Sequence, residues 1–164
     1  MALLLFQEED PSKLQAVFDT TAGTFTLEFY AKEAPNHVKK FIGLARQGFY
    51  NGTTFHSMVP HGIVHGGDPE SKNVQARANY GTGGFNMGLK PEISGVPFKQ
   101  GTVFATLLPG EANSAGSEFV ICVTDQLQFT GQFTAFARVV DGIEVVDKIS
   151  TTPVDDKQIA KDRI

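Results

Sequence analysis

Along residues 24–30, Thr-Phe-Thr-Leu-Glu-Phe-Tyr, apolar side chains fall at every second position. Phe25, Leu27 and Phe29 therefore share one face of an extended chain, the period-2 signature of a half-buried strand. A shorter strand over 16–19 precedes it across a turn at Thr-Ala-Gly, 21–23. The period then changes. Val38, Phe41, Ile42 and Ala45 recur at i, i+3, i+4 and i+7, which predicts an amphipathic helix opening near Pro35 and stopping at Gly48. Asn51-Gly52 turns the chain into a strand over 53–59, and Pro60, His61 and Gly62 break it from a further strand over 63–65. Residues 69–93 are Gly-rich and show little periodicity. Strands follow over 102–107, 118–123 and 133–139, then a second helix over 143–149 with Val146 and Ile149 spaced for burial. Many short strands with a helix near each end predict a mainly β fold, a closed barrel plugged by helices. Periodicity alone does not choose this over other α+β barrels.

At 164 residues and 41% hydrophobic, the chain fits one domain with a substantial core. That domain is expected over 15–164, behind a loosely ordered leader over 1–14 whose stretch 7–13 is polar and charged. No internal repeat, low-complexity tract or linker divides it. The lone cysteine, Cys122, forms no disulfide within the chain; in the apolar run 119–123 it reads as a buried thiol rather than a reactive one. A reducing, cytoplasmic setting is the simpler expectation. The net charge is −4 and no Lys/Arg cluster stands out, which argues against nucleic acid and anionic membrane as partners. The apolar start, Met-Ala-Leu-Leu-Leu-Phe, lacks the basic flank of a signal peptide, and no run approaches the roughly 18–20 residues of a membrane span. A soluble monomer is expected.

Four segments carry a family resemblance. Gly-Thr-Phe-Thr-Leu-Glu-Phe at 23–29 and Ala-Pro-Asn-His-Val-Lys-Lys-Phe at 34–41 resemble the opening hairpin and first helix of cyclophilins. Gly-Phe-Tyr-Asn-Gly-Thr-Thr-Phe-His at 48–56, with Gly66-Gly67-Asp68, is similar to the family's central hairpin. Asn-Ser-Ala-Gly-Ser-Glu-Phe-Val-Ile-Cys at 113–122 resembles its "NTNGSQFFI" segment, and residues 136–149 resemble its last long strand and second helix. Together these span roughly 16–150 in the family's order. The resemblance implies a cyclophilin-like, closed antiparallel β-barrel of about eight strands capped by two α-helices. It also implies peptidyl-prolyl isomerase activity on proline-containing peptides or unfolded proteins, with no cofactor and no metal.

Rotation about a peptide C–N bond faces a barrier of ~18–20 kcal/mol. A catalyst needs an apolar pocket for the proline ring and a hydrogen-bond donor near the prolyl nitrogen, where resonance is lost. In cyclophilins that donor is an arginine directly after the Phe-His pair. Here the position is Ser57, whose hydroxyl is shorter, neutral and unforked, which implies activity lower by roughly 10²–10³. Other family site positions change as well. Gly62 and Ile63 stand for Phe and Met, and Val120 for a second Phe. His65 and Glu118 each stand for Gln, Gln128-Phe129 for Trp or His followed by Leu, and Phe133 for His. Thr106 and Leu107 lie on the peptide-holding strand, with Leu107 replacing an Asn. Two aromatic rings are lost and two gained: Phe129 and Phe133 either rebuild an apolar cup of different shape or only pack the barrel mouth.

His65 falls in strand register with the family's glutamine. It is either a donor to the peptide, as a neutral imidazole or as a charged one near pH 6, or a solvated or hydrogen-bonded polar side chain. His56, His61 and His65 lie within ten residues, yet alternation puts His56 on the face opposite Ser57 and His61 in a turn, so no metal site is expected. Arg77, in a loop about seven residues longer than the family's that also carries Lys72, is a substitute cation or a solvated side chain. The segment 158–164 is too short for a full closing strand. Two functional readings stand: an isomerase with weak or altered catalysis, and a non-catalytic prolyl-peptide or protein-binding module. A small-molecule-binding barrel is a third, since one scaffold supports many functions.

Overall fold

The computed structural model describes residues 9–164, so the first eight residues of the expected leader lie outside the described chain. Residues 9–14 are seated on the domain. Asp10 caps a 3-10 turn at Pro11–Lys13, Glu9 pairs with Arg46, and Leu14 packs against the core.

Seven strands form one antiparallel sheet in the order β1-β2-β7-β5-β6-β4-β3. They are β1 (Gln15–Thr20), β2 (Gly23–Phe29), β3 (Ser57–Val59), β4 (Ile63–Gly66), β5 (Thr102–Ala105), β6 (Phe119–Cys122) and β7 (Ala135–Asp141). The alternation read at Phe25, Leu27 and Phe29 holds: all three are buried inside the curl of the sheet. Phe18, registered opposite Phe25, stacks on it at 4.7 Å. The expected eighth strand is reduced to bridges. Ile159 pairs with Ser57, the Ala160 N–H donates to the His56 carbonyl, and the Phe55 N–H donates to that of Ile164. The strand expected over 53–59 is correspondingly cut to its last three residues.

Helix α1 (Pro35–Arg46) buries His37, Val38 and Phe41, whereas Ile42 is half-buried and Ala45 is exposed, so the apolar stripe is narrower than its spacing suggests. Its first residue is a proline and its N-cap, Ala34, offers no side-chain acceptor. Glu92 supplies that function from across the fold. One carboxylate oxygen accepts from the Asn36 N–H at 3.0 Å, the other from the His37 N–H at 3.0 Å and lies 2.6 Å from His37 Nδ1. Burial opposes the charge, but these donors hold the Glu92 carboxyl below its ordinary range. Helix α2 (Ile143–Ser150) buries Val146 and Ile149, as its spacing predicts. Gly142 precedes it at φ +81°, where a Cβ would lie 2.6 Å from the Thr24 carbonyl, so no larger residue fits. Among the described residues no helix is long and apolar enough to cross a membrane.

Strands β5 and β6 are buried at every position, because both of their faces are covered. Val103, Ala105, Phe119 and Ile121 point into the main core. Phe104, Val120 and Cys122 point outward into a second apolar cluster with Phe98, Ala135, Ile63, Phe129 and Phe133. Cys122 is fully buried and its thiol is pushed up to about 12 by that burial, the inert thiol read from the sequence.

Candidate active site

The outward face of β3, β4, β6 and β5 gathers the site. Antiparallel register places Ser57 opposite His65, His65 opposite Val120, and Val120 opposite Phe104. Directly paired residues share a face, so these four side chains lie in one row across the sheet. Val120 is two residues from Glu118, which therefore lies on the same face, and the Thr106 N–H donates to the Glu118 carbonyl at 3.3 Å.

One end of this face is apolar. Phe104 lies 5.2 Å from Phe133 and 5.6 Å from Phe129, and the last two meet edge to face at 5.7 Å. Ile63 and Val120 complete a cup whose rim, Ile63, Phe129 and Phe133, is half-buried. The two rings gained in the sequence thus stand together around Phe104, a residue the sequence reading missed. β5 is buried at every position, so no alternation of apolar and polar residues marks Phe104 in the sequence.

The other end is polar. His65 Nε2 lies 2.6 Å from Glu118 Oε2, and His56 Nε2 lies 3.9 Å from the same oxygen. The rings of His56 and His65 stand 4.4 Å apart. Burial pushes both imidazoles down to about 4 and the Glu118 carboxyl up to about 8. Two expectations are corrected here. His65 does not charge near pH 6, because its Nε2 is sealed from water although a fifth of its side chain is exposed. His56 is not set apart from the cleft residues. Its N–H donates to the His65 carbonyl while Ser57 is registered against that same residue, so two consecutive residues address one partner and the alternation breaks.

The remaining expected residues are spread. Gly62 faces Val59, and a Cβ there would meet the Val59 side chain at 3.2 Å. Leu107 turns its side chain into the main core rather than the cleft. Gln128 is exposed and bonds Gln126 at 2.7 Å. His61 is exposed on the far side of its turn, 2.7 Å from Asp147. Arg77 is neither free nor aimed at the cleft: it donates to Asp155 and to the carbonyls of Ile159 and Ala160, tying the long loop to the C-terminal segment. Lys72 lies 5.3 Å over the Phe49 ring. The irregular stretch is built as 3-10 turns at Pro69–Lys72 and Val74–Asn79 rather than open loop.

The polar end is rigidly backed. Gly67, at φ +88°, lets the backbone pass so close to Ser117 that a Cβ would sit 2.2 Å from its carbonyl. Ser117 Oγ donates to the Gly67 carbonyl at 2.7 Å. Asp68 is fully buried and accepts from the N–H groups of Glu70 and Gly81. A cavity of about 670 Å³ lies elsewhere, between β1, α1 and residues 50–55, and none of the expected site residues lines it.

Comparison with known proteins agrees with this architecture. The chain is 35% identical over 127 residues to a peptidyl-prolyl cis-trans isomerase of Synechococcus elongatus, covering 77% of this chain and 81% of that one. It is 33% identical over 150 residues to the human peptidyl-prolyl cis-trans isomerase-like 1, covering 87% of each. The crystal structure of a cyclophilin type peptidyl-prolyl cis-trans isomerase from Cryptosporidium parvum superposes with a TM-score of 0.80 at 24% identity over 91% of both chains. The family model for cyclophilin type peptidyl-prolyl cis-trans isomerase matches residues 16–164. With the sheet order, the two helices and the glycine-backed hairpin in place, the chain belongs to the cyclophilin-type peptidyl-prolyl cis-trans isomerase family.

Proposed function

We propose that this protein binds proline-containing peptides across the outward face of β4, β6 and β5 and isomerises their X-Pro bonds with altered, slower catalysis. The observation that carries the reading is the cup of Ile63, Phe104, Val120, Phe129 and Phe133, set beside the Ser57–His65 row. A proline ring is apolar and compact, and such a cup removes it from water while leaving the preceding carbonyl at the polar end. The Cryptosporidium parvum relative was also crystallised in the presence of the dipeptide Ala-Pro, which supports this class of ligand. Slow catalysis follows from the donors. Ser57 brings one neutral hydroxyl, and burial keeps both nearby imidazoles uncharged at neutral pH. A second reading, a module that binds such peptides without isomerising them, rests on that same lack of a cationic side chain.

Phe133→Ala tests the cup. The ring is half-buried at the rim, so its loss leaves the main core intact. Affinity for a short Ala-Pro peptide, titrated by NMR shift changes, is expected to fall roughly tenfold, about 1.4 kcal/mol of lost apolar contact. Unchanged affinity in the folded variant would mean that the peptide does not use this cup.

A further inference from the structure

The polar end of the cleft holds more unmatched chemistry than peptide binding accounts for. Both nitrogens of His56, Nε2 of His65 and both carboxyl oxygens of Glu118 are buried with no hydrogen-bond partner on the chain. The 2.6 Å approach of His65 to Glu118 is off the line of a hydrogen bond, so it satisfies neither atom. Buried polar groups left unmatched are costly to a fold, and these atoms belong to three neighbouring side chains. We propose that His56, His65 and Glu118 form a binding site for a divalent transition-metal ion of the zinc type.

The geometry supports a common centre. One donor atom from each residue lies within 4.8 Å of the others, and the measured pairs, 2.6 and 3.9 Å, bracket the spacing of about 3.3–3.5 Å between donors bound tetrahedrally at roughly 2.0–2.2 Å. Small side-chain rotations would bring the three donors to that spacing. Two imidazoles and one carboxylate favour zinc or a neighbouring first-row ion over calcium and magnesium, which prefer oxygen donors. The three ligands are held by backbone rather than by chance contact. His65 is central in β4, paired on both sides, and Glu118 directly precedes β6. His56 is fixed by bonds to the His65 carbonyl and from the Ala160 N–H.

Charge points the same way. Asp68, fully buried, acts electrostatically on all three ligands, and binding a cation with an ionised Glu118 gives that field a positive counterpart. A His-His-Glu set leaves one coordination position. Of the three side chains only that of His65 reaches solvent, and it does so beside Ser57, which makes the cleft the nearer side for a fourth ligand. That a bound ion would there meet the carbonyl of a peptide rests on the function proposed above; the site itself does not.

The test therefore uses the full chain without peptide. After treatment with a chelator, the protein is titrated with zinc against a chromophoric competitor, and separately with cobalt, whose visible absorption reports coordination. One zinc per chain and a four-coordinate cobalt spectrum are expected. Glu118→Gln and His65→Gln should each weaken zinc binding at least 100-fold, while His61→Gln, at an exposed histidine outside the set, should leave it unchanged. If a ligand variant fails to fold, the cobalt spectrum and a zinc-dependent rise in the melting temperature of the wild-type protein still decide the matter. No stoichiometric binding, an octahedral cobalt spectrum, or binding abolished by His61→Gln but kept in Glu118→Gln would overturn the proposal. A protein that binds zinc yet leaves Ala-Pro peptides alone would keep the metal site and discard the isomerase reading.

Discussion

The S57R variant is expected to isomerise an Ala-Pro peptide roughly 100-fold faster than the wild-type protein. Ser57 is half-buried, opposite His65, on the same face as the cup that would hold the proline ring. Its hydroxyl reaches a short distance and carries no charge, whereas a guanidinium extends several bonds further with a forked set of donors. At this position it would stand opposite His65, whose imidazole burial keeps uncharged at neutral pH, so no like charge opposes an arginine there. A preorganised charged donor is worth more in such a partly dry site than in water, because the nitrogen it serves gains basicity only as the amide twists. The rate is followed by NMR exchange in the presence of a chelator, so that no metal ion at His65 contributes. A folded S57R protein with an unchanged rate would mean that the prolyl amide is not held against this position.

The second large effect concerns stability. Phe119→Ala is expected to lower the unfolding free energy by roughly 3–5 kcal/mol and the melting temperature by roughly 10–15 °C. Phe119 is 2% exposed, at the start of the interior strand β6. Its ring meets those of Phe18, Phe41, Tyr50 and Phe55 at 5.9, 6.0, 6.0 and 6.4 Å, each near perpendicular. Removing the ring leaves a cavity bordered by four other rings, none of which can close it without losing its own edge contacts. The backbone of Gly67 also rests on this ring, within 3.0 Å of where a Cβ would be, so the support behind Glu118 loosens as well. Urea unfolding measures the loss; a change below about 1 kcal/mol would mean that the core repacks freely around the site.

Sheet and helices were legible because they rest on short-range rules. Two-residue periods placed Phe25, Leu27 and Phe29 inside, and Pro35 and Gly48 bounded the first helix within a residue or two. The cup was legible in part. Phe129 and Phe133 were singled out as replacements for lost rings, and the structure sets them together, yet the floor residue Phe104 was passed over because a fully buried strand shows no alternation between apolar and polar positions. The histidine cluster was misread for a different reason. Strict alternation separates His56 from the cleft, but alternation holds only within a regular ladder, and the ladder of β3 begins one residue later, at Ser57. No property of residue 56 itself reveals that irregularity. Arg77 shows the same limit at longer range: its partners, Asp155, Ile159 and Ala160, are about eighty residues away, and no local pattern links them.

The most direct measurement of the central claim is the cis-to-trans exchange of a short Ala-Pro peptide, followed by NMR with the wild-type protein added at pH 7. Exchange faster than the uncatalysed tens to hundreds of seconds, with shift changes centred on Phe104, Val120 and Phe133, is the result this account predicts. Shift changes at those residues without faster exchange would contradict the isomerase reading and leave a binding module. Neither shifts nor exchange would contradict the proposal that this face takes prolyl peptides at all.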